Sequence, residues 1–306
     1  MKFTKMHGTG NDYIYIDCFE EKVDNPEELA VLLSNRNFGI GADGLILIQP
    51  SEKYDCFMDM YNADGSRGKM CGNGIRCVGK YIYEHGIARR DTVTVDTLSG
   101  IKTLSLDIDG DRVTSVTVEM GAPILEASLI PTTLRESGSI VDMPVRLPGL
   151  YDSEGSRYIG HDVSDLGICP MELSMTCVSM GNPHAVIVVD DPLKFPVRRI
   201  GSYLEKHPSF PEGVNVQFIS IQDENNITIR TWERGSGETL SCGTGNCAAL
   251  VAATLLGKSN GEADMKALGG ILHIRWDRTT NIVYLTGGAE EVFTGEIDVE
   301  RISLPK

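Results

Sequence analysis

Short runs of alternating or wholly apolar residues recur along the chain and read as β-strands. In the first part they are Phe3–Met6, Tyr13–Asp17, Leu45–Ile48 and Cys56–Tyr61, then Val93–Val95, Thr103–Leu106 and Val113–Val118. A second set follows at Ser174–Val178, Ala185–Val189, Val216–Ile221 and Ile227–Trp232. Helical spacing replaces alternation after two similar cysteine motifs. Ile75, Val78, Tyr81 and Ile82 mark one face of a helix over Gly74–Glu84, whereas Gly245–Leu256 is apolar almost all round. A helix without a polar face is buried, which predicts a sheet wrapped around it.

The two sets of elements are copies of one unit. Cys71-Gly72-Asn73-Gly74 is matched 171 residues later by Cys242-Gly243-Thr244-Gly245. The same offset sets Gly10-Asn11 opposite Gly181-Asn182, Tyr61 opposite Trp232, and Asn62-Ala63 opposite Glu233-Arg234. With a small slip, Leu98-Ser99-Gly100-Ile101 continues against Leu268-Gly269-Gly270-Ile271. An internal repeat of this length predicts two pseudo-symmetric domains of α/β (α+β) class. Their expected extents are 1–125 plus a returning tail, 290–306, and 126–289, with a functional cleft between them. The connector near 123–171 reads as irregular.

Composition narrows the function. The 306 residues carry a formal charge of −15, from 28 basic and 43 acidic residues. An acidic surface repels phosphate backbones and anionic lipid, so neither nucleic acid nor membrane is an expected partner. The start, MKFTKMHGTGND, lacks the apolar core of a signal peptide, and Cys247–Leu256 is too short to cross a bilayer. Eight cysteines without an export signal point to free thiols in a cytoplasmic protein.

Each cysteine motif puts a thiol just before a Gly-x-Gly turn that opens a helix. Backbone N–H groups and the positive helix end stabilise an anion there and are expected to lower the thiol pKa. Two such thiols on one ligand suit a cofactor-free racemase or epimerase. One thiolate removes a proton from a stereocentre, the other thiol returns one to the opposite face, and two helix ends stabilise the carbanionic carboxylate. Arg234 offers a fork for a carboxylate, and Glu233 an acceptor for an ammonium.

The segments HGTGNDYIYID (7–17), NADGSRGKMCGNGIRC (62–77), SMGNPHAVIV (179–188), PEGVNVQF (211–218) and ERGSGETLSCGTGNCAA (233–249) resemble the diaminopimelate epimerase family over nearly the whole chain apart from the connector. The resemblance implies interconversion of LL- and meso-2,6-diaminopimelate for lysine and peptidoglycan precursor synthesis, without metal or pyridoxal phosphate. It implies Cys71 and Cys242 as the acid–base pair, with Cys242 the proton acceptor and Cys71 the donor from LL to meso. Gly72, Asn73, Gly243 and Thr244 would hold the reacting carboxylate. Asn11, Asn62, Asn182, Asn215, Glu233 and Arg234 would line the rest of the pocket, and His184 with Glu233 would support the reacting amino group. The family is commonly dimeric, and Phe293 matches an aromatic position used in that contact.

Two departures stand out: Gly44 where many members carry Gln, and a connector longer than usual that contains Cys169. The plainer alternatives are buried structural cysteines, a proline racemase-like enzyme, and a non-catalytic thiol or ligand-binding protein. Cys77 and Cys247, six and five residues after Cys71 and Cys242, are spaced too widely to favour zinc, and with Cys18, Cys56, Cys169 and Cys177 they read as packing residues.

Overall fold

A computed structural model describes residues 1–145, 157–158, 161–162 and 173–302. The elements run β1 (Lys2–Gly8), β2 (Asn11–Asp17), α1 (Pro26–Ser34), β3 (Gly44–Gln49), β4 (Cys56–Asn62), β5 (Arg67–Gly68), α2 (Gly72–Glu84), β6 (Thr92–Asp96), β7 (Lys102–Asp109) and β8 (Arg112–Gly121). They continue with β9 (Met143–Val145), β10 (Arg157–Tyr158), β11 (His161–Asp162), β12 (Leu173–Ser179), β13 (Pro183–Val188), α3 (Val197–Glu205), β14 (Asn215–Asp223), β15 (Asn226–Glu233) and β16 (Gly237–Thr239). The last are α4 (Gly243–Leu255), β17 (Glu262–Ala267), β18 (Gly270–Asp277), β19 (Ile282–Gly287) and β20 (Glu290–Glu296). The strands and helices that alternation and periodicity predict stand in place as β1–β4, β6–β8, β12–β15, α2 and α4, whereas β5, β9–β11 and β16–β19 were not foreseen. Two helices went unnoticed. For α1 the available signal was Pro26 in the first turn followed by Glu27 and Glu28; for α3 it was Val197, Ile200 and Leu204 at helical spacing.

The duplication is visible element by element. β1 and β12, α1 and α3, and α2 and α4 have equal lengths and start 171 residues apart. Strand pairing repeats as well. β2–β3 is parallel and β3–β4 antiparallel, with β6 parallel to β4. Likewise β13–β14 is parallel and β14–β15 antiparallel, with β17 parallel to β15.

The chain divides into two compact units, Met1–Met120 with Gly269–Leu272 and Tyr284–Lys306, and Gly121–Leu268 with His273–Val283. Residues 269–272 and 284–289, expected with the second copy, belong to the first. Packing explains it: a Cβ on Gly270 would touch the Thr9 methyl at 3.0 Å, the Gly288 carbonyl accepts from Arg76 Nε at 3.2 Å, and Thr286 shares a 2.7 Å hydrogen bond with Thr117.

In the first unit the tail returns as a strand, β20, antiparallel to β1. One sheet face packs Ile14, Ile16, Leu45 and Leu47 against Leu29, Ala30 and Leu33 of α1. The other wraps α2: Gly74 lies on Ile46 and Met58, and Gly79 on Leu104, Leu106 and Val116. The polar positions of α2 are buried too. Lys80 donates to the Val113 carbonyl and to Glu84, both at 2.8 Å, so its ammonium is satisfied inside.

In the second unit β9 pairs antiparallel with β12, the place that β20 takes beside β1. The connector therefore supplies an edge strand, and Ala127, Ile130, Ile140 and Val145 join the core formed by Ile187, Val216, Phe218 and α3. The described connector residues 123–142 are largely irregular, as expected, yet Ala127, Ile130 and Ile140 among them are buried. Cys169 lies outside the described residues. Among the described residues no helix is long and apolar enough to cross a membrane.

Candidate functional site

In the first unit the extended backbone of Cys71 (φ −127°, ψ 121°) caps α2, and its carbonyl accepts the Ile75 N–H at 2.9 Å. The sulfur accepts the Gly74 N–H at 3.4 Å, satisfying one of the free donors of the first turn. Its S–H donates to Asn11 Oδ1 at 3.2 Å. Asn11 is held in turn by Asp43, which accepts from its Nδ2 at 2.7 Å. Next to it Asp12 lies below the ordinary carboxylate range: burial pushes it up, but hydrogen bonds from Arg36 and Lys5 outweigh burial.

Below the CGNG turn sits Arg76, fully buried. Its guanidinium donates to Gly72 O and Asn73 Oδ1 at 3.0 Å, and to Thr9 Oγ1 at 2.7 Å. Thr9 has φ 52°, costly for a β-branched residue, and this hydroxyl is what secures it. Arg76 and Thr9 were not anticipated, since nothing local in the sequence shows that an arginine four residues into a helix will be enclosed. Asn73 is likewise engaged, and Asn62 donates to Ser66 Oγ at 2.9 Å. Gly44 pairs with Asn62 across β3–β4, and a Cβ there would stand 2.2 Å from the Tyr61 carbonyl oxygen. The missing side chain at position 44 is thus imposed by the strand spacing.

The second unit repeats the extended N-cap cysteine without the side-chain cap bond that Cys71 makes. Cys242 is extended (φ −110°, ψ 113°) ahead of α4, and its carbonyl accepts from Asn246 N at 2.9 Å and Nδ2 at 2.7 Å. Its thiol departs from expectation. Burial, and then the Glu233 carboxylate beside it, push Cys242 well above the usual thiol range, outweighing Thr244 and the Gly245 amide. A helix N-terminus favours thiolate, but desolvation and a like charge oppose it more strongly.

A row of polar groups leads away from this sulfur. Thr244 Oγ1 lies 3.5 Å from Cys242 Sγ, Asn182 Nδ2 donates to Thr244 at 3.3 Å, and Asn182 Oδ1 lies 3.0 Å from His184 Nε2. Burial pushes His184 down to about 3, so it is neutral throughout the physiological range. Gln217, also unanticipated, is fully buried below Gly245. Asn215 donates to Pro183 O at 2.9 Å and accepts the Arg234 N–H at 3.0 Å, coupling the Asn-Pro-His turn to the Glu-Arg pair. Glu233 accepts from Thr239 Oγ1 at 2.6 Å, and Arg234 donates to Glu212 O at 2.7 Å.

Expected residues therefore gather in two groups, Asn11, Asn62, Cys71, Gly72 and Asn73 in the first unit, and Asn182, His184, Asn215, Glu233, Arg234, Cys242, Gly243 and Thr244 in the second. A depression of about 400 Å³ on the second unit, lined by Leu193, Arg230, Glu238, Thr239, Leu240 and Leu268, contains none of them.

The sequence model described as diaminopimelate epimerase matches residues 3–126 and 176–292, one segment for each copy of the repeat. The chain belongs to the diaminopimelate epimerase family. It is 46% identical over 302 residues to a diaminopimelate epimerase of Acetivibrio thermocellus, covering 99% of this chain and all of that one. It is 45% identical over 299 residues to one of Methanococcus maripaludis strain C6, covering 98% of this chain and all of that one. Among solved structures, a hydroxyproline epimerase from Agrobacterium vitis shares the fold at TM-score 0.65 and 15% identity, over 97% of this chain and 90% of that one. A PhzF-family phenazine biosynthesis protein from Bacillus anthracis does so at TM-score 0.67 and 15% identity, over 97% of this chain and 98% of that one. These proteins of very different sequence share the fold.

Proposed function

We propose that this chain is a cytoplasmic, homodimeric diaminopimelate epimerase that interconverts the LL and meso forms with Cys71 and Cys242 as its two proton-transfer groups, without metal or pyridoxal phosphate. The observation that carries the reading is the repeated cap: in each unit an extended cysteine opens a thirteen-residue helix at equivalent repeat positions. The reaction feeds lysine and peptidoglycan precursor synthesis.

From LL to meso, the Cys242 thiolate takes the α-proton and the Cys71 thiol supplies one to the opposite face; the return reaction exchanges the roles. Cys71 S–H is already a donor, to Asn11. The raised pKa of Cys242 keeps its resting form the thiol, so the thiolate that takes the α-proton is a minor form and, once formed, a strong base. Backbone N–H groups at Gly72, Asn73, Gly243 and Thr244 stabilise the negative charge that develops on the reacting carboxylate. Neutral His184 and the Glu233 carboxylate support the amino group, and Arg234 with Asn11, Asn62, Asn182 and Asn215 serves the remainder of the substrate. Val292 and Phe293 of β20 are 55% and 46% exposed, which supports β20 as the dimer contact.

The test is NMR of α-hydrogen exchange in deuterated water with LL-diaminopimelate under reducing conditions. Wild type is expected to exchange and to form the meso isomer, and Cys71→Ala and Cys242→Ala each to lose epimerisation. No exchange by reduced, folded wild type would overturn the assignment.

A further inference from the structure

Glu205 is the last residue of α3 and is 8% exposed. Both of its carboxylate oxygens are engaged. Oε2 accepts the Trp232 indole N–H at 2.7 Å, and Oε1 accepts the Gly235 backbone N–H at 2.9 Å. Trp232 and Gly235 stand immediately before and after Glu233-Arg234. One buried carboxylate thus grips the chain on both sides of the pair.

The surroundings make this grip the element that defines the turn. Gly235 and Gly237 have φ 80° and 81°, so the backbone here has the freedom of glycine and needs an external restraint. The indole cannot drift from α3, because it is seated so closely on Gly201 that a Cβ there would lie 2.5 Å from the Trp232 Cβ. The Glu205 carbonyl accepts the Val214 N–H at 3.2 Å, bringing the same helix end to the strand whose Asn215 accepts the Arg234 N–H. A link that merely joined α3 to β15 would need no second bond to the backbone of the turn. A buried carboxylate is costly unless its bonds are made, and here both are charge-assisted.

We propose that Glu205 is a positioning residue: it fixes the 233–236 turn so that Glu233 and Arg234 are presented to the substrate in one geometry. This rests on the assignment of Glu233 and Arg234 to substrate made above. Glu205 itself touches no reacting atom.

The experiment compares wild type, Glu205→Gln and Arg234→Lys, all as full-length protein. The glutamine is nearly isosteric but offers one oxygen to two N–H groups, so one of the two bonds is lost. Folded Glu205→Gln is expected to shift the Gly235 amide or Trp232 indole proton in ¹H–¹⁵N spectra, and to raise KM for diaminopimelate about tenfold with a much smaller change in kcat. Unchanged KM in a folded variant with shifted signals overturns the proposal. Unchanged KM in Arg234→Lys overturns instead the assignment on which it rests. If Glu205→Gln does not fold, Trp232→Phe keeps the packing on Gly201 and removes one donor; a rise in KM then supports the proposal, and wild-type KM refutes it.

Discussion

Gly44→Ala tests whether strand spacing, rather than backbone freedom, keeps this position bare. Gly44 opens β3 between Tyr13 of β2 and Asn62 of β4. An added Cβ would lie 2.2 Å from Tyr61 O, 2.9 Å from Tyr13 Cε1 and 3.2 Å from Asn62 Cα. The tyrosine ring can swing aside, but the carbonyl belongs to a strand held by β3 and β5 and stands more than about 1 Å inside normal contact. Gly44 has no left-handed φ, so lower entropy in the unfolded state would by itself favour alanine by about 0.4–1 kcal/mol. Overpacking costs about 1–3 kcal/mol, and a backbone clash belongs near the upper end, so the net effect is a loss of about 2 kcal/mol. For a chain of this size that lowers the thermal midpoint by about 3 °C. Circular dichroism melts and urea titrations at matched m-value measure it. An unchanged or raised midpoint would refute the argument from spacing.

The buried thiols make a second test. Cys56, Cys77 and Cys177 are buried and pushed by burial up to about 12, 11 and 12, while Cys71 is partly accessible, so iodoacetamide at neutral pH followed by peptide mapping is expected to mark Cys71 long before these three. Labelling in the reverse order would contradict the burial described. For His184 the folded-state pKa of about 3 lies below the ordinary 6.5, so the unfolded chain binds the proton first. Its contribution is fully present above pH 6.5 and is lost as pH falls toward 3, by up to about 1.4 kcal/mol per pH unit. Urea midpoints from pH 7 to 4 should therefore fall less steeply in His184→Gln, and equal slopes would exclude the linkage. Phe293→Asp puts a charge on a half-exposed ring that meets Phe3 edge-on at 5.9 Å. It is expected to shift the protein toward monomer in sedimentation velocity; a wild type that is itself monomeric at assay concentration would remove the dimer from the proposal.

Most strands and the two cysteine-capped helices were legible in the sequence because their signals are local. Alternation, helical spacing and a Gly-x-Gly turn act over a few residues, and the offset of 171 between Cys71 and Cys242 shows that the same unit is built twice. What escaped depends on groups far apart in the chain. Neither the burial of Arg76 and Lys80 nor the bonds that make it tolerable can be read from α2 alone, since Thr9, Val113 and Gly288 supply them. The place of β9 as the counterpart of β20 rests on pairing with β12, from a connector whose composition reads as irregular. The thiol of Cys242 shows the division most clearly. Its motif places it at a helix N-terminus, which favours the anion, but enclosure and the Glu233 charge set the direction of its pKa. Desolvation and Coulomb energies depend on the three-dimensional arrangement of the surrounding groups, and only the tertiary structure supplies that arrangement.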